Sequence, residues 1–161
     1  MAAINSDGIG HVDYAPEEVY WFDSGIPAFE HLRRWLLVER AMFRPLAVLQ
    51  SIEQPDLRFA CLPVAMLQPD YCVNLGVQDR RALELDSAGG EVDRALQGPL
   101  ICLAILTFRA GKCATANLLA PILLNPQARK GAQVVQSETQ YSAEFELLCR
   151  QAAQPEAPRT C

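Results

Sequence analysis

Positive charge is scarce in this chain. Fourteen Lys and Arg stand against nineteen Asp and Glu, which gives a net charge of −5 and a pI near 5.0. Phosphate contact relies on concentrated Lys and Arg, so direct binding to RNA or DNA is not expected. An acidic surface suits a basic protein partner instead. Metal-ligand spacing is equally absent. The six cysteines (Cys61, Cys72, Cys102, Cys113, Cys149, Cys161) form no C-x-x-C pair, and there are only two histidines. No metal or cofactor is expected from that set. Cys61, Cys72 and Cys102 lie inside apolar runs, where a free thiol acts as a small hydrophobe. All six are expected as free thiols in a reducing cytoplasm. The first twenty residues lack a basic start followed by an apolar segment, so no secretion signal is read. The longest apolar stretch, Pro99 to Phe108, is about half of the roughly 20 residues a membrane helix needs. A soluble, cytoplasmic protein without membrane contact is expected. Internal repeats, heptads and a βαβ rhythm are all missing.

What remains is a chain of 161 residues, half of them hydrophobic and 20% charged. That is enough to bury one core and excludes disorder throughout. Short β-branched and aromatic runs alternate with Pro, Gly, Asn and Asp punctuation. Strands are expected over His11–Tyr14, Val19–Phe22, Trp35–Val38, Leu46–Ile52, Leu57–Leu62, Tyr71–Leu75 and Leu100–Phe108. The last is apolar at almost every position and should be buried on both faces. Pro27 to Arg33 can make one or two helical turns, with His31 facing solvent. Gln78 to Leu85 is rich in helix formers. Asp86 to Gly98 reads as a surface loop, Phe145 to Leu148 as an amphipathic turn. The boundaries follow: one domain over residues 11–148, a flexible N-terminus over 1–10 and a disordered tail over 149–161.

The stretch that organises the rest is Ala114 to Val135. An apolar run with one Asn and one Pro leads into the polar turn Asn125 to Gly131, then a second β-branched run. That pattern is two strands joined by a hairpin loop. Pro121 has no N–H for a ladder and belongs at an edge, a strand start or a bulge. Asn125, preceding a proline, is held extended. Gly131 can take the positive φ that closing the loop would require. In all, roughly nine short strands and one or two small helices argue an all-β fold, a small antiparallel barrel.

Five passages, taken together and in order, resemble the FliW family of bacterial flagellar assembly factors. They are Trp21-Phe22-Asp23-Ser24-Gly25-Ile26-Pro27-Ala28-Phe29-Glu30; Leu49 to Phe59; Pro69-Asp70-Tyr71; Ala114 to Ile122 with Asn125, Gly131, Gln133 and Val134-Val135; and Tyr141-Ser142. Two departures stand out. Asp23 replaces a usual proline, and Ala28 replaces a usual glycine, which implies that the backbone there does not demand positive φ. The resemblance implies a non-enzymatic binding module on a β-barrel. It implies binding to CsrA, an RNA-binding translational regulator, with relief of its repression of flagellin synthesis. It also implies binding to flagellin in exclusion of CsrA. A flagellin-binding chaperone without the CsrA role is the alternative. A monomer is the simplest assembly.

For the contact surface, the turn Gln54-Pro55-Asp56-Leu57 with Phe59 comes first, because turns between rigid strands commonly carry binding groups. Leu57 and Phe59 share one strand face; exposed, they would anchor a partner, but Phe59 is the better candidate for core. Asn117 is the second candidate, and a buried structural amide is its stronger reading. Glu53, Asp56 and Asp70 are ordinary surface carboxylates unless a partner meets them. A Cys113–His31 nucleophile pair lacks supporting spacing and an orienting group. A ligand-binding barrel would need polar groups converging inside apolar runs, and none is seen.

Overall fold

The computed structural model describes residues 1–85, 100–137 and 140–147. The expected loop at 86–98 and the expected tail at 149–161 fall outside them. Eleven strands are present among the described residues: β1 (Ala2–Ser6), β2 (Gly10–Tyr14), β3 (Tyr20–Trp21), β4 (Arg34–Glu39), β5 (Ala47–Ser51), β6 (Arg58–Pro63), β7 (Ile101–Thr107), β8 (Thr115–Ala116), β9 (Ile122–Asn125), β10 (Lys130–Gln133) and β11 (Phe145–Glu146). Two short helices, α1 (Val64–Leu67) and α2 (Val77–Ala82), and two 3₁₀ turns, Pro16–Glu18 and Ala41–Phe43, complete the set.

Seven strands close into a barrel in the order β7-β6-β5-β4-β3-β10-β9, with β9 pairing back onto β7. The fold is all-β and the ladders are antiparallel except at one seam. There β10 meets β3 in parallel through Lys130 and Trp21, and the Trp21 N–H donates to Arg129 O at 2.8 Å.

Strand alternation sorts the side chains into three apolar layers. On β7, Ile101, Leu103 and Ile105 point into the barrel, beside Tyr20, Phe22, Trp35, Leu49, Cys61, Ile122 and Leu124. Cys102, Ala104 and Leu106 point out, under Val64, Tyr71, Val73, Leu83 and Leu118. The run that reads as apolar at every position is therefore buried on both faces, as the sequence indicates. A third layer lies where the β1–β2 hairpin sits on Leu36 and Val38 of β4 through Ile4 and Val12.

Several expectations are corrected. Residues Met1 to Ile9, expected loose, include β1, which pairs with β2 from Ala2↔Tyr14 to Ser6↔Gly10. Ile4 supplies the apolar contact that holds the hairpin down. Val19 to Phe22 keeps only two residues as β3, because Val19 closes the preceding 3₁₀ turn through its N–H to Pro16 O. Pro27 to Arg33 is no helix. Two successive turns are closed by Phe29 N–H to Ile26 O at 2.7 Å and Leu32 N–H to Phe29 O at 3.0 Å.

Tyr71, Val73 and Leu75 are buried at alternate positions, yet the segment joins no ladder. Its polar groups are met by side chains instead. Cys72 N–H donates to Tyr141 Oη at 2.9 Å and Asn74 N–H to Gln136 Oε1 at 2.7 Å. Phe145 and Glu146 form β11 rather than an amphipathic turn, paired with β8.

The long hairpin is present but divided. Pro121 separates β8, which pairs with β7 and β11, from β9, which pairs with β10 and β7. The positive φ of the β9–β10 turn falls on Arg129, at +54°, and not on Gly131. Gly131 has a packing reason: a Cβ there would lie 2.3 Å from Phe22 Cε2 inside the barrel. Ala28 also reverses its expectation, with φ at +72°.

Candidate docking surface

The Gln54–Leu57 turn joins β5 to β6 at one end of the barrel. Its shape is set from beneath by Gln50, which is fully buried. Gln50 Nε2 donates to Ser51 O at 2.9 Å, Pro55 O at 2.8 Å and Leu57 O at 3.1 Å. Its Oε1 accepts from Ser6 Oγ at 2.6 Å. Gln54 N–H donates to Ser51 Oγ at 3.1 Å, and Leu57 N–H closes the turn on Gln54 O at 2.9 Å. One buried amide thus satisfies carbonyls along the whole turn, so the loop is fixed from within the fold. Gln54 and Asp56 face solvent, while Pro55 and Leu57 are half-buried.

A second loop, Gly25 to Arg33, is tied against this turn. Glu53 Oε2 accepts from the N–H groups of Arg33 at 2.9 Å and Arg34 at 3.0 Å, and Oε1 accepts from Arg34 Nε at 3.2 Å. Glu53 is therefore a brace and not a free carboxylate. Gly25 is needed in the loop, since its φ is +68° and a Cβ would come within 2.6 Å of Glu30 Cα. The Glu30 carboxyl is held below the usual carboxylate range by its own backbone N–H and by that of Ala28. Beneath both loops Phe59 faces inward, stacked on Trp35 at 5.6 Å and edge-on to Phe29 at 5.6 Å. Phe59 belongs to the core, and Leu57 packs against the same interior cluster.

Asn117 lies apart from this rim, on the side of β7 away from β6. Its N–H donates to Ile105 O at 2.9 Å and its Oδ1 accepts from Ala120 N–H at 2.9 Å. That is a turn brace. The neighbouring motifs knit the outer layer in the same way. Tyr71 Oη donates to Leu118 O at 2.5 Å, Tyr71 stacks on Tyr141 at 4.0 Å, and Ser142 O accepts from both Leu118 and Leu119. The passages that carry the family resemblance therefore divide into two sets. One builds an exposed rim; the other holds the outer layer on the barrel. Sequence reasoning missed Gln50 and Ser51 as the residues that shape the turn. Their signal was present: two polar residues at the end of an otherwise apolar strand.

The chemistry elsewhere is quiet. Cys113 is disulfide-bonded, which corrects the free-thiol expectation and removes the nucleophile from the Cys113–His31 pair. Cys61, Cys72 and Cys102 are free; burial pushes the Cys61 and Cys102 thiols up to about 12. Among the described residues, no three His, Cys, Asp or Glu side chains converge as a metal site. No helix among them is long and apolar enough to cross a membrane. The barrel interior is filled by aromatic and aliphatic side chains. Asp23 bonds Lys130 at 2.8 Å across the β3–β10 seam. That contact, with Glu84 at 3.5 Å, holds the Lys130 amine above its ordinary value.

The FliW protein family model matches residues 3–147, and so takes in the N-terminal hairpin. The flagellar assembly factor FliW of Pseudothermotoga lettingae is 33% identical over 139 residues, covering 83% of this chain and 81% of that one. That of Caldanaerobacter subterraneus subsp. tengcongensis is 27% identical over 146 residues, covering 90% and 92%. The crystal structure of a flagellar assembly factor FliW superposes with a TM-score of 0.77 at 25% identity, covering 93% of this chain and 99% of that one. With the family model matching residues 3–147 and the same barrel over nearly the whole length, the chain belongs to the FliW family of flagellar assembly factors.

Proposed function

We propose that this protein is a non-enzymatic partner switch in flagellar assembly. It binds the translational regulator CsrA and relieves its repression of flagellin synthesis. It also binds flagellin, and the two partners exclude each other. Accumulated flagellin then sequesters the protein by mass action and frees CsrA to repress. The protein works in the cytoplasm as a monomer, without contacting nucleic acid or membrane itself.

The observation that supports this reading most is the rim. Glu53, in the 49–59 motif, ties down Arg33 and Arg34, which directly follow the 21–30 motif, and so fastens the two passages into one solvent-facing edge. A preorganised edge lowers the ordering cost of docking a protein. The acidic composition suits a basic regulator.

Purified protein mixed with CsrA and, separately, with flagellin should form a stable complex on gel filtration in each case. Each partner should displace the other, and an RNA probe at physiological salt should not bind. Complex formation with flagellin alone, with no effect on CsrA-repressed translation, would favour the chaperone reading.

A further inference from the structure

At the far end of β4 from the docking rim, a groove of about 390 Å³ runs between β2 and β4. Val12, Leu36 and Val38 lie buried beneath it, and the lining open to solvent is mostly polar. One wall is an open strand edge. Ile52 N–H donates to Arg34 O at 3.0 Å, which fixes the alternation along β4. Leu36 and Val38 therefore exchange backbone hydrogen bonds with β5, and Leu37 and Glu39 turn theirs the other way.

That other side is where β3 would continue. It stops after pairing Tyr20 with Trp35 and Trp21 with Arg34. The preceding residues leave the sheet in a 3₁₀ turn whose N–H groups are used locally, Glu18 on Ala15 O and Val19 on Pro16 O. No hydrogen bond among the described residues uses the N–H or C=O of Leu37 or Glu39. Two rungs are thus presented, about 7 Å apart along the strand.

The facing wall is β2, where Arg40 Nη2 caps His11 O at 2.8 Å. The charged lining is lopsided: Asp13, Glu18 and Glu39 against Arg40, with His11 on Asp13 at 3.0 Å. Glu39 is exposed and makes no ion pair among the described residues.

We propose that this groove takes an extended, Lys- or Arg-bearing segment of a protein partner, which adds as a strand to β4 at Leu37 and Glu39. Main-chain bonds to an open edge supply affinity and side-chain pockets supply selectivity in such additions. The carboxylates set the sign of the segment. This surface is separate from the Gln54–Leu57 turn, and the inference does not depend on which protein that turn binds.

The test uses ¹⁵N-labelled full-length protein and a blocked heptapeptide of alternating Lys and Val. Its alternately N-methylated form and a Glu-for-Lys form serve as controls. The basic peptide should shift the Leu37 and Glu39 amides and slow their hydrogen exchange. The Glu and N-methylated peptides should bind at least tenfold more weakly. Glu39→Pro removes an outward N–H without touching the β5 ladder, and should cut binding at least tenfold with an unchanged melting curve. Glu39→Lys, which leaves the backbone intact, should do the same if Glu39→Pro fails to fold. Equal binding of the N-methylated peptide, shifts confined to other residues, or no shift at millimolar peptide would overturn the proposal. So would a concentration-dependent dimer of the free protein with those two amides protected, since the edge would then serve a second copy.

Discussion

Gln50 Nε2 sits 2.8 Å from Pro55 O, so a fully buried amide reaches out of the strand to grip the exposed turn five residues on. Replacing it with Leu keeps the volume but strands the carbonyls of Ser51 and Pro55 and the hydroxyl of Ser6, while the Leu57 carbonyl keeps the Ser51 N–H. Gln50→Leu should cost about 2–3 kcal/mol, since buried groups left unsatisfied cost about 1–3 kcal/mol each and the exposed turn can recover part with water. Urea denaturation measures the loss. Amide exchange of Leu57 should accelerate with it.

Gly131 and Phe22 test the packing inside the barrel. Gly131→Ala places a methyl 2.3 Å from the Phe22 ring, so the ring must leave its position. Overpacking of this kind costs about 1–3 kcal/mol. A second change, Phe22→Leu, should recover part of that loss in the double variant even though it is destabilising alone. Strict additivity in a double-mutant cycle would mean the two residues do not touch.

Ala28 carries a strain that glycine would not. At φ +72° an L-residue is disfavoured by about 1–2 kcal/mol, while glycine adds about 0.5–1 kcal/mol of chain entropy to lose. Ala28→Gly should therefore raise stability by roughly 0.5–1 kcal/mol. Destabilisation on thermal melting would show that the alanine methyl contributes packing.

The two buried thiols set a pH dependence. Burial raises Cys61 and Cys102 from 9.0 to about 12. The unfolded chain therefore loses these protons first, and the stability they contribute is full below pH 9 and falls as pH rises toward 12. Denaturation at pH 8 and pH 10.5 should show a loss that shrinks in the Cys61→Ala, Cys102→Ala double variant. An unchanged slope would assign the alkaline loss to other groups. In the native protein only Cys72, of the three free thiols, should react readily with a disulfide reagent.

Much of the fold could be read from alternation and punctuation. The β4, β5, β6 and β7 runs, the β9–β10 hairpin and the break at Pro121 were all legible as short apolar, β-branched or aromatic runs set off by turn residues. The misses share a cause. Tyr71 to Leu75 alternates like a strand, but its backbone is met by the side chains of Tyr141 and Gln136, 69 and 62 residues away. β1 is stabilised by contacts to β2 and β4 that no local composition reveals. Gly131 looks like a turn glycine and is in fact a space for Phe22. At the rim, the Gln54–Leu57 turn was visible as a turn, while the inward direction of Phe59 and the brace made by Glu53 depend on a loop twenty residues upstream.

Those placements also decide which substitutions probe binding cleanly. Leu57 packs on the interior, so Leu57→Asp should lower the melting temperature together with any binding. Gln54→Arg and Asp56→Lys alter only exposed side chains, and surface changes of this sort usually stay within about 0.5 kcal/mol of wild-type stability.

The decisive measurement is calorimetric titration of CsrA and of flagellin into wild-type protein and into the Gln54→Arg, Asp56→Lys double variant. Both partners should bind the wild type, each should block the other, and the double variant should bind at least one of them tenfold or more weakly with an unchanged melting temperature. Full affinity for both partners in the folded variant, or no binding of either by the wild type, would contradict the assignment of the rim as the docking surface.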